Sequence, residues 1–370
     1  MGDHEYMQLA LRLAARGLTT TDPNPRVGCV LVKADSVVGE GWHERAGLPH
    51  AEINALQDAG EQAGGATAYV TLEPCSHHGR TPPCADALID AGVARVVIAM
   101  QDPNPRVAGQ GIARLKAAGI EVQPGLLAAQ AADLNPGFIK RMRDGRPLIR
   151  IKTAMSLDGR TAMASGESKW ISGEQSRHEV QRWRARSSAI LTGIGTVLAD
   201  DPSMNVRLTE AVPEGGWRQP LRIVLDGQLR MPVTARMLAL PGTTHVMTVS
   251  DSVEKIAALE AAGATVSVLP AKNSKMDLLA LMQALCELEI NEVLVEAGAT
   301  LNGSLLDQDL VDELIVYLAP HVMGDAARGV FHLPGLEHMS ARKALKITDV
   351  HRVGDDLCIQ ARPANSDAGD

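Results

Sequence analysis

Apolar positions in the first part of the chain switch between a helical and an extended period. In residues 3–16, Met7, Leu9, Ala10, Leu11, Leu13 and Ala14 fall on a helical repeat with a broad apolar face. Asp22-Pro-Asn-Pro-Arg26 is a turn, and the apolar run Val27–Val32 after it reads as a buried strand with Val37–His43 as its hairpin partner. Helices are predicted from His50 to Leu56, from Thr81 to Ala91 behind two prolines, and from Gln110 to Ala118. Strands are predicted at Ala68–Leu72, Val93–Met100 and Ile120–Val122. Strands alternating with helices predict an α/β layered domain.

Asn135-Pro-Gly-Phe138 and the basic stretch Lys140–Pro147 read as a turn-rich crossing, which places a domain boundary near residue 146. Beyond it, Leu148–Ala154 alternates apolar and polar residues as a strand does, and Ser156–Arg160 turns. Further strands are expected at Ala189–Gly193, Leu221–Asp226, Thr243–Val249, Ala264–Leu269, Glu292–Glu296 and Leu314–Leu318. Helices are expected at Glu174–Arg186, at Lys275–Glu287 and after the Ala297–Ser304 stretch. The residues after Pro363 read as a disordered tail, so the division is 1–145, 146–363 and 364–370.

Composition narrows the function. The 370 residues are 45% hydrophobic and 22% charged, ordinary for a globular enzyme. Net charge is −8 and aromatic content 2%, which leaves neither the basic groove nor the stacking rings of a nucleic-acid binder. Neither a signal peptide nor a run of apolar residues long enough for a membrane span is apparent. The five cysteines, Cys29, Cys75, Cys84, Cys286 and Cys358, fit a reducing cytoplasm better than a disulfide framework. A small-molecule substrate is therefore expected.

The candidate chemistry lies between His50 and Cys84. His50-Ala-Glu52, Pro74-Cys75 and Cys84 supply one imidazole, two thiols and a spare carboxylate near helix starts, where thiols ionise more readily. This resembles the zinc-deaminase pattern H-x-E…P-C-x-x-C, except that eight residues, Ser76–Pro83, separate the cysteines. The insert is polar and basic, which suits an anionic substrate group. The turn Asp22-Pro-Asn-Pro-Arg-Val27 recurs as Asp102-Pro-Asn-Pro-Arg-Val107, which would present Asn24 and Asn104 to one pocket.

Pro23-Asn-Pro-x-Val-Gly28, Gly41-x-His43, His50-Ala-Glu52, the Glu73–Cys84 segment and Asp102-Pro-Asn-Pro-x-Val-x-Gly109 resemble the deaminase half of the bifunctional riboflavin biosynthesis deaminase/reductases. The resemblance implies a cytidine-deaminase-like α/β/α domain, zinc on His50, Cys75 and Cys84, and Glu52 as proton shuttle. Asn24, His43, His77, Arg80 and Asn104 would line its substrate pocket, Arg80 standing where relatives often carry lysine. The substrate implied is 2,5-diamino-6-ribosylamino-4(3H)-pyrimidinone 5′-phosphate. Lys152–Gly159, Ser168-x-Trp-Ile171, Thr192-Gly-x-Gly-Thr196, Asp200-Asp-Pro202 and Glu296-x-Gly298 resemble the reductase half, whose fold is like dihydrofolate reductase. By that resemblance, Ala154, Trp170, Thr196, Asp200 and the loop of Gly298, Ala299, Thr300, Leu301, Asn302, Gly303 and Ser304 would contact NADPH. Ser168, Arg184, Met204, Arg207 and Glu296 would contact the substrate, with Arg184 and Arg207 on its phosphate and Lys152 at the reacting centre. A homodimer or higher homo-oligomer through the reductase half is implied as well.

Two other readings cover less of the chain. A nucleoside or nucleic-acid deaminase predicts a short Cys-x-x-Cys and no nicotinamide domain. A structural zinc module needs a fourth ligand, which His77 or His78 could supply.

Overall fold

The computed structural model of the chain describes residues 2–76, 83–213 and 215–364. The chain forms two compact units, Met1–Arg146 and Pro147–Asp370.

The first unit runs α1 (Asp3–Ala15), β1 (Gly28–Lys33), β2 (Ser36–Trp42), α2 (Ala51–Ala59), β3 (Thr67–Val70), α3 (Cys84–Asp90), β4 (Arg95–Ile98), α4 (Gln110–Ala117), β5 (Glu121–Pro124), α5 (Ala128–Leu134) and α6 (Pro136–Asp144). The sheet order is β2-β1-β3-β4-β5. Side chains alternate between its faces. Cys29, Leu31, Val70 and Ile98 pack with Ala51 and Ala55 of α2, Leu88 of α3 and Leu115 of α4. Val30, Tyr69 and Val97 pack on the other side with Met7, Ala10 and Leu11 of α1 and Ala131 of α5. The result is an α/β/α sandwich.

Register brings four chain segments to one end of this sheet. β1 is antiparallel to β2 and β3, with Gly28 opposite Trp42 and Cys29 opposite Val70. β3 is parallel to β4, with Val70 beside Ile98. The entry to β1 and the exits of β2, β3 and β4 therefore share an edge, and both Asp-Pro-Asn-Pro-Arg-Val segments lie there. Gly41 lets α2 close on β2, since a Cβ at that position would lie 2.3 Å from the Ala51 carbonyl oxygen.

The Lys140–Pro147 region differs from the turn-rich crossing expected. Pro136 occupies the first turn of α6, and Gly145 ends it at φ 66°. The proline and glycine that look like turn residues are a helix start and stop.

The second unit runs β6 (Leu148–Ser156), β7 (Arg160–Ala162), α7 (Glu174–Arg186), β8 (Ala189–Gly193), α8 (Ile194–Asp200), β9 (Leu221–Leu225), β10 (Thr244–Thr248), α9 (Val253–Ala261), β11 (Ala264–Val268), β12 (Ala271–Lys272), β13 (Lys275–Met276), α10 (Leu278–Glu287), β14 (Glu292–Val295), α11 (Ala299–Asp307), β15 (Glu313–Ala319), β16 (Arg328–Gly329), β17 (Leu345–Val353) and β18 (Asp356–Pro363). The main sheet has the order β11-β10-β9-β8-β14-β6-β15-β18-β17. Its first seven members are parallel, and β18 and β17 close it as an antiparallel hairpin.

One expectation changes in this unit. The helix read from Lys275 starts at Leu278, capped by the Asp277 side chain, and Lys275 belongs to the hairpin before it. Pro363 ends a paired strand, opposite Leu345, while residues 365–370 lie outside the described residues. The polar positions of β6 do not face water. Arg150 is buried, 3.0 Å from Glu292 and 2.6 Å from Glu313, with its guanidinium over the Trp183 ring. A central parallel strand has no solvent face, so its charges are paired internally.

Candidate functional sites

In the first unit, His50 is the N-cap of α2 and Cys84 the first residue of α3. Cys75 lies in the loop leaving β3. The His50 Nδ1 atom is 3.3 Å from Cys84 Sγ and 3.7 Å from Cys75 Sγ, and the three ligand atoms lie within 4.8 Å of one another. The backbone N–H of Cys84 donates to Cys75 Sγ at 3.2 Å. Hydrogen bonding from Cys84 lowers the Cys75 thiol, against the burial that raises it. The hydrogen bond to Cys75 raises the His50 imidazole. Both shifts favour a thiolate at Cys75 and a cation at His50.

These separations suit zinc. With Zn–S near 2.3 Å and Zn–N near 2.0 Å, the edges of a tetrahedron about zinc are roughly 3.5–3.8 Å. Three convergent donors leave one position open. Glu52 is buried in the first turn of α2, close enough to Cys84 for the two to influence each other's ionisation. Burial raises its carboxyl to about 7, and the Cys75 charge pushes the same way.

The substrate-side residues are held from the same sheet edge. Asn24 Nδ2 lies 3.1 Å from His43 Nε2, and His43 Nδ1 lies 3.0 Å from the Pro49 carbonyl. The His43 ring stands edge-on to His50 at 5.4 Å between centroids. Asn104 accepts from the Arg106 N–H within its own loop. That loop is tied down by Glu73, whose buried carboxylate accepts N–H bonds from Asp102, Gly109 and Ile112 at 2.9–3.1 Å. Glu73 was read only as part of a motif. Its isolated carboxylate before Pro74 carries no sequence sign that three backbone donors converge on it. His77 and Arg80, and His78 with them, lie outside the described residues.

The second unit contains a cavity of about 1840 Å³ along the carboxyl ends of its parallel strands. Lys152, Ala154, Ser168, Trp170, Arg184, Thr196, Asp200, Met204, Arg207, Glu296, Gly298, Ala299, Thr300, Leu301 and Ser304 line it. Asn302 and Gly303 do not. Gly298 caps α11, so the stretch read as a loop is mostly helix, and one side of it faces the core. Asn302 is buried and donates to Ala297, while Gly303 abuts the His332 backbone.

Glu296 follows β14 and is gripped by Arg184 through two bonds of 2.6 and 2.9 Å. Burial alone would raise the Glu296 carboxyl. The Arg184 charge and hydrogen bonds, then Lys152, hold it at about 2. Burial lowers the Lys152 ammonium, although Glu296 opposes this. Arg184 also donates to the Asn205 carbonyl, so Arg207 is the cation less engaged by protein carboxylates. Met204 takes a left-handed φ of 46° on the cavity wall, an uncommon backbone state for this residue. Trp170 is 71% exposed, with the Arg177 guanidinium 4.5 Å from its ring centroid. Arg177 lines the cavity too and was not anticipated, because in sequence it is one cation of a charged helix.

Comparison with known proteins agrees with this division. Residues 147–359 match the RibD C-terminal domain, and residues 1–100 match the cytidine and deoxycytidylate deaminase zinc-binding region. The chain is 53% identical to the riboflavin biosynthesis protein RibD of Escherichia coli K12, covering 97% of this chain and 99% of that protein. It is 42% identical to the RibD of Bacillus amyloliquefaciens over 99% and 97% of the two chains. The structure of Acinetobacter baumannii RibD superposes with a TM-score of 0.92 at 48% identity, covering 98% of this chain and 99% of that one. A Thermotoga maritima diaminohydroxyphosphoribosylaminopyrimidine deaminase/5-amino-6-(5-phosphoribosylamino)uracil reductase gives 0.86 at 33% identity, with coverage of 98% and 99%. A cytidine-deaminase-like unit followed by a reductase unit, matched along nearly its whole length, makes this chain a member of the RibD family of riboflavin biosynthesis proteins.

Proposed function

We propose that the chain deaminates 2,5-diamino-6-ribosylamino-4(3H)-pyrimidinone 5′-phosphate in its first unit and reduces the ribosyl chain of the product with NADPH in its second. The observation that carries this reading is the His50–Cys75–Cys84 triangle with buried Glu52 beside it.

His50, Cys75 and Cys84 would hold the zinc ion, which supplies Lewis acidity and activates water. Glu52 would serve as the proton carrier beside that site, accepting a proton from attacking water and donating to the pyrimidine ring nitrogen and the departing amine. Its burial raises the carboxyl above the usual carboxylate range, which suits a group that both accepts and donates a proton. The paired Asn24 and His43 side chains and the Asn104 loop orient the ring. His77 and Arg80 complete the pocket in this reading, with Arg80 on the phosphate.

The cavity of the second unit would hold NADPH, whose chemistry when bound would be hydride donation. Lys152 faces the reacting ribosyl carbon. Glu296 keeps Arg184 and Lys152 charged and fixed, and Arg207 meets the phosphate. Ala154, Trp170, Thr196, Asp200 and the start of α11 form the cofactor wall.

All five cysteines are free thiols, and no described helix is long and apolar enough to cross a membrane. A cytoplasmic enzyme acting on small phosphorylated pyrimidines is the reading that family membership supports. Assembly as a homodimer or higher homo-oligomer rests on family resemblance. The test is an assay of the zinc-loaded chain on the ribotide, with and without NADPH. Ammonia release should proceed without NADPH, and NADPH oxidation should follow only after deamination. Ammonia release that survives Glu52→Ala would overturn the first assignment.

A further inference from the structure

The far end of the second cavity carries a pair of lysines that the reading above leaves unused. From β6 to β10 the cavity crosses five neighbouring strands, with Ala154, Ala297, Gly193, Leu225 and Val249 at or near their carboxyl ends. Four interstrand steps of ~4.8 Å make this about 19 Å, a span for an extended dinucleotide. With Lys152 and Glu296 at one end, the adenosine half falls at the other, near β9 and β10.

The hairpin β12–β13 follows β11, the strand paired with β10 on that side of the sheet. Asn273 and Ser274 form its two-residue turn at φ 50° and 60°, and Lys272 and Lys275 pair directly across it. Both lysines line the cavity. Like charges directly opposite on a two-stranded hairpin are destabilising, so the fold itself gains nothing from this pair. Among the described residues neither lysine has a carboxylate partner. The adjacent carboxylate, Asp277, is committed to capping α10, and Arg230 on the same wall already faces Asp226 at 3.8 Å.

We propose that Lys272 and Lys275 clamp the 2′-phosphate of the cofactor's adenosine ribose and so set the preference for NADPH over NADH. This rests on the NADPH reading of the cavity. Two ammonium groups offer six donors to a dianion, and a 2′-hydroxyl in the same place cannot neutralise them.

The test is calorimetric titration of the full chain with NADP+, NAD+, 2′,5′-ADP and 5′-AMP. The wild type should bind NADP+ and 2′,5′-ADP more tightly than their unphosphorylated counterparts. In Lys272→Ala/Lys275→Ala, NADP+ and 2′,5′-ADP should weaken on the order of 10- to 100-fold, with a shallower salt dependence, while NAD+ and 5′-AMP hold. Unchanged NAD+ binding also shows that the variant is folded. Lys272→Arg/Lys275→Arg should keep most of the discrimination. Undiminished NADP+ preference in the alanine variant overturns the clamp alone, as does an equal loss for both nucleotides. A wild type that binds neither nucleotide overturns the cofactor reading and the clamp with it.

Discussion

The two sites handle charge in opposite ways. In the first unit the donors crowd together, with His50, Cys75 and Cys84 inside 4.8 Å and the Cys75 thiol lowered by its hydrogen bonds to Cys84 and His50. In the second, Glu296 and Arg184 already neutralise one another, and charges are spread along a cavity of about 1840 Å³. A site built to take a cation leaves its ligands unbalanced. A site built to orient two organic anions balances most of its own charges and leaves cations facing the ligands. The first therefore depends on a few atoms, and the second on many.

Single substitutions should expose that contrast. Glu52→Gln should cut ammonia release by about 10²–10⁴-fold while zinc content, measured by elemental analysis, stays near one per chain. NADPH oxidation of the deaminated substrate should be untouched, and a matching loss there would break the separation of the two sites. Lys152→Ala should do the reverse, lowering NADPH oxidation by at least tenfold with ammonia release intact. Cys84→Ser should lose zinc together with deamination, since three ligands allow no spare.

Stability should respond more at the second site. Glu296→Gln leaves Arg184 and Lys152 partly or wholly without their counter-charge, at a cost of about 3 kcal/mol in denaturant unfolding. The pH dependence has a defined sign. Glu296 titrates near 2 when folded, below the ~4.3 of a free glutamate. Its contribution is present above about pH 4.3 and is lost as pH falls towards 2. The wild type should therefore lose its advantage over Glu296→Gln across that window. A constant difference down to pH 2 would show that the ion pair is not what separates them.

The smallest effect tests packing under the zinc site. Gly41→Ala sets a methyl 2.3 Å from the Ala51 carbonyl oxygen, one residue from His50. Displacing α2 should cost about 1–3 kcal/mol and weaken zinc affinity, while the reductase unit's melting is unchanged.

Legibility in the sequence follows the same contrast. His50-Ala-Glu52 and Pro74-Cys75 are short motifs at element ends, where local spacing nearly determines the geometry, and the structure brings them together. The α/β layering was equally legible, because burial imposes its period directly on the chain. Arg150 was not. Its charge in an alternating strand reads as solvent-facing, and only the partners Glu292 and Glu313, more than 140 residues away, explain its burial. Asn302 and Gly303 read as cofactor loop, but the helix starting at Ala299 turns them inward. The β17–β18 hairpin and the basic helix α6 were missed because their residues carry weak or misleading periodicity.

By itself the sequence determined one class of chemistry, a His-Cys-Cys ligand set with a spare glutamate, while the nicotinamide chemistry of the second unit came from family resemblance. The ligand set depends on residue types at short spacing. Only tertiary structure decided which charges neutralise each other and which remain exposed to ligand. Glu73 reaches the Asp102–Ile112 segment, Arg184 grips Glu296 across 112 residues, and Lys272 meets Lys275 on the cavity wall. Electrostatic balance is set by distances of a few ångströms, and chain separation does not encode them.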